Sequence, residues 1–424
     1  KENDFKHEII GDIPQDWAVV RLEEIVTLLR NGLTVPQNKE GDGYPITRIE
    51  TISEEKIDPV KVGFVNKLKE SELAEFMVDE EDILFSHINS LEHIGKTAIY
   101  EGIPKPLIHG MNLLLLRPDK NRVYPKFLLY LLRLYRKKNI FRAMAKKAVN
   151  QASINQTELG RVKVIIPSLE EQRGVVGVLG VVDLAIAKTG EVIAKTERLK
   201  KGLMQTLLTR GIGHKEYKQT PIGTTPKEWE IVKLQDVSFD FIGGGTPSTS
   251  NPDFWDGDIA WMTSAHINGT IIMSGQRYIT KKGLENSASH LIPKDNLLVA
   301  TRVGIGKAAI NKIDIAISQD LTGVIVNKEK ALPEFLYWVI INNERRLKSI
   351  AQGSTIKGIL REDLGRLSIP RPPLPEQQAI AEFLSTVDKK LELERSEKAR
   401  LERIKRGLMD LLLTGKIRVK VGQD

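Results

Sequence analysis

GLMQTLLTRGI occupies Gly202–Ile212, and GLMDLLLTGKI occupies Gly407–Ile417. Seven of the eleven positions are identical, at a constant offset of 205 residues. Other pairs keep the same order. IIGDIPQDW (Ile9–Trp17) returns as PIGTTPKEW (Pro221–Trp229), and VVRLEEIV (Val19–Val26) as IVKLQDVS (Ile231–Ser238). YPKFLLYLL (Tyr124–Leu132) resembles LPEFLYWVI (Leu332–Ile340), and TELGRVKVIIPSLEEQ (Thr157–Gln172) parallels EDLGRLSIPRPPLPEQ (Glu362–Gln377). The offset drifts only by loop-sized gaps, so nearly the whole chain is written twice.

Between these anchors the halves diverge. RNGLTVPQNKEGDGYPITRIETI (Arg30–Ile52) faces GGGTPSTSNPDFWDGDIAWMTSAHI (Gly243–Ile267) with little beyond Gly, Thr and Pro in common. ILFSHINSLEHIGKTAIY (Ile83–Tyr100) faces LLVATRVGIGKAAI (Leu297–Ile310) and shares mainly a Gly-Lys pair. One framework with two different surface readouts fits this pattern; drift in unimportant loops would also produce it.

Each half opens with short apolar runs broken by Gly, Pro and Asn. The spans Asp82–Ile88, Met111–Pro118, Asn296–Thr301 and Thr322–Asn327 read as strands. Tyr124–Ala148 and Leu332–Ile350 read as helices with Pro near the first turn. Each globule is therefore expected to be α+β.

A Pro-rich connector ends each half and leads into a long amphipathic pattern. In the first copy Val175, Leu179, Val182, Ile186, Thr189, Ile193, Thr196, Lys200, Leu203 and Leu207 alternate by four and three. In the second, Ile380, Leu384, Val387, Leu391, Glu394, Lys398, Leu401, Lys405, Leu408 and Leu412 do the same. This is coiled-coil spacing with a polar middle. A helix of roughly 40 residues at about 1.5 Å per residue is near 60 Å long. One such helix cannot bury its own seam, but two copies can pair, close to two-fold symmetric; antiparallel pairing would set the globules at opposite ends of a rod. The alternative is that each helix packs locally on its own globule.

The chain has 424 residues, 41% of them hydrophobic, enough for two or more domains. It has no cysteine, which excludes disulfides and thiolate metal sites. The opening KENDFKHEII has no apolar signal core, and no uncharged apolar run reaches membrane-spanning length, so a cytoplasmic protein is expected. Lys and Arg exceed Asp and Glu, 63 to 55, a net charge of +8 that favours polyanionic partners.

Catalytic motifs are weak. FIGGG (Phe241–Gly245) and NPDF (Asn251–Phe254) suggest an S-adenosylmethionine turn and an adenine-gripping loop. They lie too close together for separate strands of a large sheet, Asp253 replaces the second Pro, and the first half has neither. IGKT (Ile94–Thr97) has Ser90 where a P-loop needs Gly, and GIGK (Gly304–Lys307) lacks more, so each reads as a tight turn presenting a lysine. His87, His93 and His109 lack metal-ligand spacing.

Polar loop chemistry suited to reading bases remains. Arg30, Asn31, Gln37 and Asn38 form one group, and His87, Asn89 and Lys96 another. Thr246, Ser248, Arg302 and Lys307 are the second-half candidates, with Gln151 in AVNQASINQ and Gln352 and Lys357 in AQGSTIKG. Arg suits guanine, and Asn or Gln suits adenine. A stand-alone adenine methyltransferase and a scaffold that never touches DNA are the competing classes.

P-x-x-W before a V-x-L strand start, GGGTPS, WDGDIAW, LSIPRPPLPEQQAIAEFL and GLMDLLLTGKI together resemble the specificity subunit of type I restriction–modification systems. The resemblance spans both halves, although IIPSLEEQ lacks the double proline and NGLTVP stands in place of GGGTPS. It implies an α+β fold with two similar target-recognition domains, at 1–167 and 213–372. Two long helices, at 168–212 and 373–424, would form an antiparallel coiled coil with pseudo-two-fold symmetry. Leu179, Val182, Ile186, Ile193, Leu203 and Leu207 of the first would face Leu384, Val387, Leu391, Leu401, Leu408 and Leu412 of the second. It also implies a non-catalytic subunit in which each domain reads half of a gapped double-stranded DNA target. Two methyltransferase subunits and restriction or translocase subunits would be its partners. S-adenosylmethionine, ATP and Mg would belong to those partners, with no cofactor or metal on this chain.

Overall fold

The computed structural model describes residues 5–8, 11–148, 151–351 and 358–419. The chain divides into two units: Lys1–Thr189 with Glu397–Asp424, and Gly190–Ser396. The two long helices, Leu169–Arg210 and Leu374–Leu412, each contribute one portion to either unit.

In the first unit an antiparallel four-stranded sheet has the order Val26–Asn31, Leu113–Pro118, Ile83–Ser86, Thr97–Ile99. Its central strands are unbroken apolar runs because both faces are covered. Ile83, Phe85, Leu114 and Leu116 lie in the cluster shared with the helix Pro125–Lys137, while Leu84, Leu113 and Leu115 belong to a second cluster with Leu107 and Tyr100. Phe127, Leu128, Leu131, Leu132, Leu134 and Tyr135 are all fully buried, each worth about 1.5–3 kcal/mol of burial. The expected single helix through Ala148 ends sooner. Asn139 turns left-handed at φ 60°, a short helix Ile140–Met144 follows, and Lys146–Ala148 is already a strand. Asn tolerates that conformation better than most residues, so it is a natural stop.

The second unit repeats the plan with more strands. Its five-stranded sheet runs Ser238–Gly243, Leu321–Val326, Asn296–Ala300, Ala308–Asn311, Ile271–Ile272. The helix Pro333–Asn342 packs on it through Phe335, Leu336 and Trp338, and the expected continuation is again split, with Glu344–Ile350 a separate helix. An additional four-stranded sheet joins Arg277–Ile279, Trp255–Met262, Ile315–Ile317 and His290–Ile292. The first unit carries a reduced version of it: Tyr44–Ile46 pairs with Gly63–Val65, and Ile108 bridges parallel to Ile46 and antiparallel to Met77. The loss of sequence similarity thus accompanies a difference in the extent of this sheet, while its pairing pattern is kept.

The anchors that repeat in sequence repeat in structure. Ala18–Arg21 pairs with Lys163–Ile166, and Glu230–Lys233 with Ser368–Arg371. Gln172, fully buried, donates to the Arg122 and Pro167 carbonyls at 3.3 and 2.9 Å and accepts from the Tyr124 amide at 2.7 Å. Gln377 does the same with Lys330, Pro372 and Leu332 at 3.2, 2.8 and 2.9 Å. The Gln that ends each Pro-rich connector therefore ties the first turn of a long helix to the start of the domain helix. The preceding glutamates differ: Glu171 takes Arg418 at 2.5 and 2.8 Å, whereas Glu376 accepts from Trp229 Nε1 at 2.9 Å and Ile212 N at 2.9 Å.

Each unit holds one stretch of helix pair. In the first, Val175, Val176 and Leu179 share a cluster with Met409, Leu412 and Leu413, and Asp183 pairs with Lys405 at 2.5 Å. Advancing along one helix meets residues ever earlier on the other, so the pairing is antiparallel. In the second, Leu203, Leu207 and Leu208 share a cluster with Ile380, Ala381 and Leu384, Lys200 pairs with Asp388, and Arg395 with Glu197 at 2.6 Å. Asp183–Lys405 and Lys200–Asp388 are copies of one ion pair. The lysines also lie over Tyr130 and Trp338, at 5.4 and 5.1 Å from the ring centroids. Leu179, Leu384, Leu391 and Leu412 are buried, and Val182, Ile186, Ile193, Leu203, Leu207, Val387, Leu401 and Leu408 are half-buried. The polar middle of the seam includes a buried Thr196. Local packing and mutual pairing coexist, since the helix starts are built into the globular cores as well.

Candidate nucleic-acid interface

Three segments leave the same end of the main sheet in each unit. In the first they follow Asn31, follow Ser86 and precede Leu113, because Leu114 pairs with Asn31 and Leu113 with Ser86. In the second they follow Gly243, follow Ala300 and precede Leu321. A glycine pins both edges. A Cβ on Gly32 would collide with the Gly110 carbonyl, and one on Gly244 with the Ile317 carbonyl. The next amides then bond across, Leu33 N to His109 O at 2.8 Å and Gly245 N to Ile317 O at 3.0 Å. This close approach accounts for the glycines the two halves share.

The expected base-reading residues sit at these edges in different states. Asn31 is exposed at its strand end, and Gln151 is exposed on a strand whose neighbour Ala152 pairs with Asn89. Asn89 is half-buried and donates to Ser86 Oγ at 3.1 Å. Arg30 lies on the strand Val26–Asn31 rather than in a loop. Its guanidinium donates to Glu75 Oε1 at 2.7 Å and to the Glu75 carbonyl at 3.1 Å, and lies 4.1 Å from the Phe76 centroid. Gln37 packs against Gly63 and Gly110, and Asn38 donates to Asn66 at 2.6 Å. Lys96 donates to the Ser53 carbonyl at 2.5 Å. His87 is only 5% exposed, and burial holds its pKa down to about 4; it is a neutral ring beneath the edge. His109 is held down to about 4 by the same cause. Since the Leu113 carbonyl 3.0 Å away can only accept, its Nε2 carries the proton.

In the second unit Thr246, Ser248, Arg302 and Lys307 are all exposed. Thr246 Oγ1 donates to Gln319 Oε1 at 2.7 Å, and Ser248 Oγ lies 2.8 Å from Ser250 Oγ. Gly304 and Gly306 have φ of 72° and 89°, and Gly95 has 76°, so the Gly-Lys segments are indeed tight turns. Gln352 and Lys357 lie outside the described residues. Gln319 was not singled out from sequence; its signal was a polar turn, Ser318–Asp320, immediately before a strand at the pinned edge.

The segments that hinted at methyl transfer have structural work. Asn251 caps a short turn through Asp253 N at 3.1 Å, and Asp253 pairs with Lys282 at 2.8 Å. Trp255 Nε1 and Trp261 Nε1 donate to the Ser248 and Gly245 carbonyls at 3.0 and 3.2 Å. Among the described residues no group of three or more His, Asp or Glu could hold a metal ion, and no helix is long and apolar enough to cross a membrane.

The model of the type I restriction modification DNA specificity domain matches residues 14–198 and again 226–403. The chain belongs to that family. It is 43% identical to the putative type I restriction enzyme MjaX specificity subunit of Methanocaldococcus jannaschii, over 99% of this chain and 98% of that one. It is 27% identical to the MjaVIII specificity subunit of the same organism, over 99% and 97% of the two chains. The crystal structure of the type I restriction-modification S subunit from M. genitalium shares the fold at a TM-score of 0.57 and 14% identity, covering 93% of this chain and 96% of that one. The chain is thus a specificity subunit by family, and the comparisons give the methyltransferase alternative no support.

Proposed function

We propose that this specificity subunit reads a gapped duplex DNA target, one half-site at the pinned sheet edge of each unit. The observation that carries this is a framework repeated down to its buried Gln172 and Gln377, with unlike groups at equivalent edges. Asn31, Asn89 and Gln151 are the first-edge reading groups, and Ser248, Arg302 and Lys307 those of the second, where Thr246 is engaged with Gln319; Arg30, Gln37, His87 and Lys96 support the first edge from within. The paired helices set the separation of the half-sites, as dimer geometry does for other DNA readers.

Two methyltransferase subunits dock on the helices. Val178 and Phe383, 39% and 58% exposed, occupy equivalent positions, as do Leu199 and Ile404 at 55% and 39%. A repeated apolar patch suits a partner present twice. Adenine methylation with S-adenosylmethionine, and DNA translocation and cleavage with ATP and Mg, belong to the partners, in the cytoplasm.

Binding of the purified chain to duplex DNA, measured across a salt series, tests the reading. Affinity should fall linearly on a log–log plot, with a slope near −0.9 for each phosphate neutralised. A protein with no affinity for duplex at low salt would be a scaffold instead.

A further inference from the structure

The turn Ser318–Asp320 holds one exposed amide in a fixed place. Ile317 and Ser318 are fully buried, and Ser318 N donates to the Met262 carbonyl at 3.0 Å. Gly245 N donates to the Ile317 carbonyl at 3.0 Å, Leu321 N to Ser318 at 3.1 Å and Thr301 N to Asp320 at 2.9 Å. Segments from the loops before and after the edge thus clamp the backbone on both sides of Gln319. Its side chain is exposed, and its one side-chain partner among the described residues is the Thr246 hydroxyl, 2.7 Å from Oε1.

We propose that Gln319 is a specificity-determining residue that reads an adenine of the second unit's half-site, with Thr246 positioning its amide; this rests on the DNA-reading function proposed above. A carboxamide matches the adenine edge in the major groove, accepting from N6–H and donating to N7. A carbonyl oxygen has two lone pairs, so Thr246 occupies one and leaves the other for the base. Among the described residues Nε2 has no partner, which leaves both its N–H groups for DNA. A free glutamine loses rotamer freedom when it is fixed on a base. Anchoring Oε1 beforehand reduces that cost on binding.

The first unit supplies the contrast. Leu113 pairs with the end of its strand as Leu321 does with the end of the matching one, so Met111 stands where Gln319 stands. Leu33 N and Gly245 N make the same cross-edge bond, so Thr34 matches Thr246. The hydroxyl is kept and the amide is replaced by a 38% exposed methionine. The common frame thus offers one reading position that carries different chemistry in each half. Among the described residues no buried group bonds the Gln319 side chain, so its removal spares the fold.

The test co-expresses the full chain with the modification subunit of its own system and maps methylated sites across the host DNA. Wild type, Gln319→Ala and Thr246→Val are compared. Gln319→Ala should lower discrimination at one adenine of one half-site by about tenfold, the scale of a bidentate base contact. Thr246→Val should weaken the same base by less, and the other half-site should not change. Full adenine preference retained at every position in Gln319→Ala would overturn the proposal and leave the DNA-reading function standing. So would a loss spread evenly over both half-sites. A wild type with no gapped motif would instead remove the function itself, and this inference with it.

Discussion

Gln377 shows how much one side chain can hold. It is fully buried and satisfies two carbonyls and one amide, at a junction of connector, domain helix and long helix. A buried group left without its partner costs about 1–3 kcal/mol, and Gln377→Ala strands three. Thermal or denaturant unfolding should show a destabilisation of roughly 3 kcal/mol or more, with Gln378→Ala, the exposed neighbour, close to wild type. Equal, small effects at both positions would contradict the tie. The sequence showed the Gln as part of a repeated motif, but not its role, because its partners Lys330 and Leu332 are 47 and 45 residues away along the chain. For the same reason sequence placed Arg30 and Lys96 among free DNA-reading groups, while Glu75 and Ser53 engage them in the fold. His87 is a related case: polar in a loop-like stretch, it is buried because Ile154 N bonds its carbonyl at 2.9 Å and draws the segment inward.

At the scale of elements, the long helices were legible because a four-and-three spacing over ten positions leaves few alternatives, and every position of it is buried or half-buried. The strands were legible as apolar runs, with ends shifted by one or two residues. The break at Asn139 was not, since helix-forming residues continue on both sides and only the left-handed φ reveals the stop. Adjacent residues on the second helix separate stability from assembly. Leu384 is fully buried against the second unit's core, while Phe383 is 58% exposed. Leu384→Ala should cost about 2–5 kcal/mol of stability. Phe383→Ala should leave the melting transition unchanged and weaken capture of the modification subunit in a pull-down or titration. If Phe383→Ala instead unfolds the chain and binds normally, that face has been misassigned.

For the whole molecule, the duplication explains both what repeats and what does not. Strand pairs, connector glutamines and the helical ion pair recur because they build the framework, and Gly32 and Gly244 recur because no larger residue fits there. The sheet around Trp255–Met262 is fuller than its reduced counterpart around Tyr44–Ile46, and Met111 stands at the position of Gln319, so the two edges differ in chemistry on a shared frame. From sequence, the divergence was visible while the contents of each edge were not, since three chain segments distant in sequence assemble it. The most direct measurement is an exchange of Arg30–Ile165 for the equivalent region of a relative with a different target, followed by mapping of methylated sites. One half-site should change to the donor's, while the other half-site stays as it was. An unchanged pair of half-sites would contradict the assignment of one reading edge to each unit.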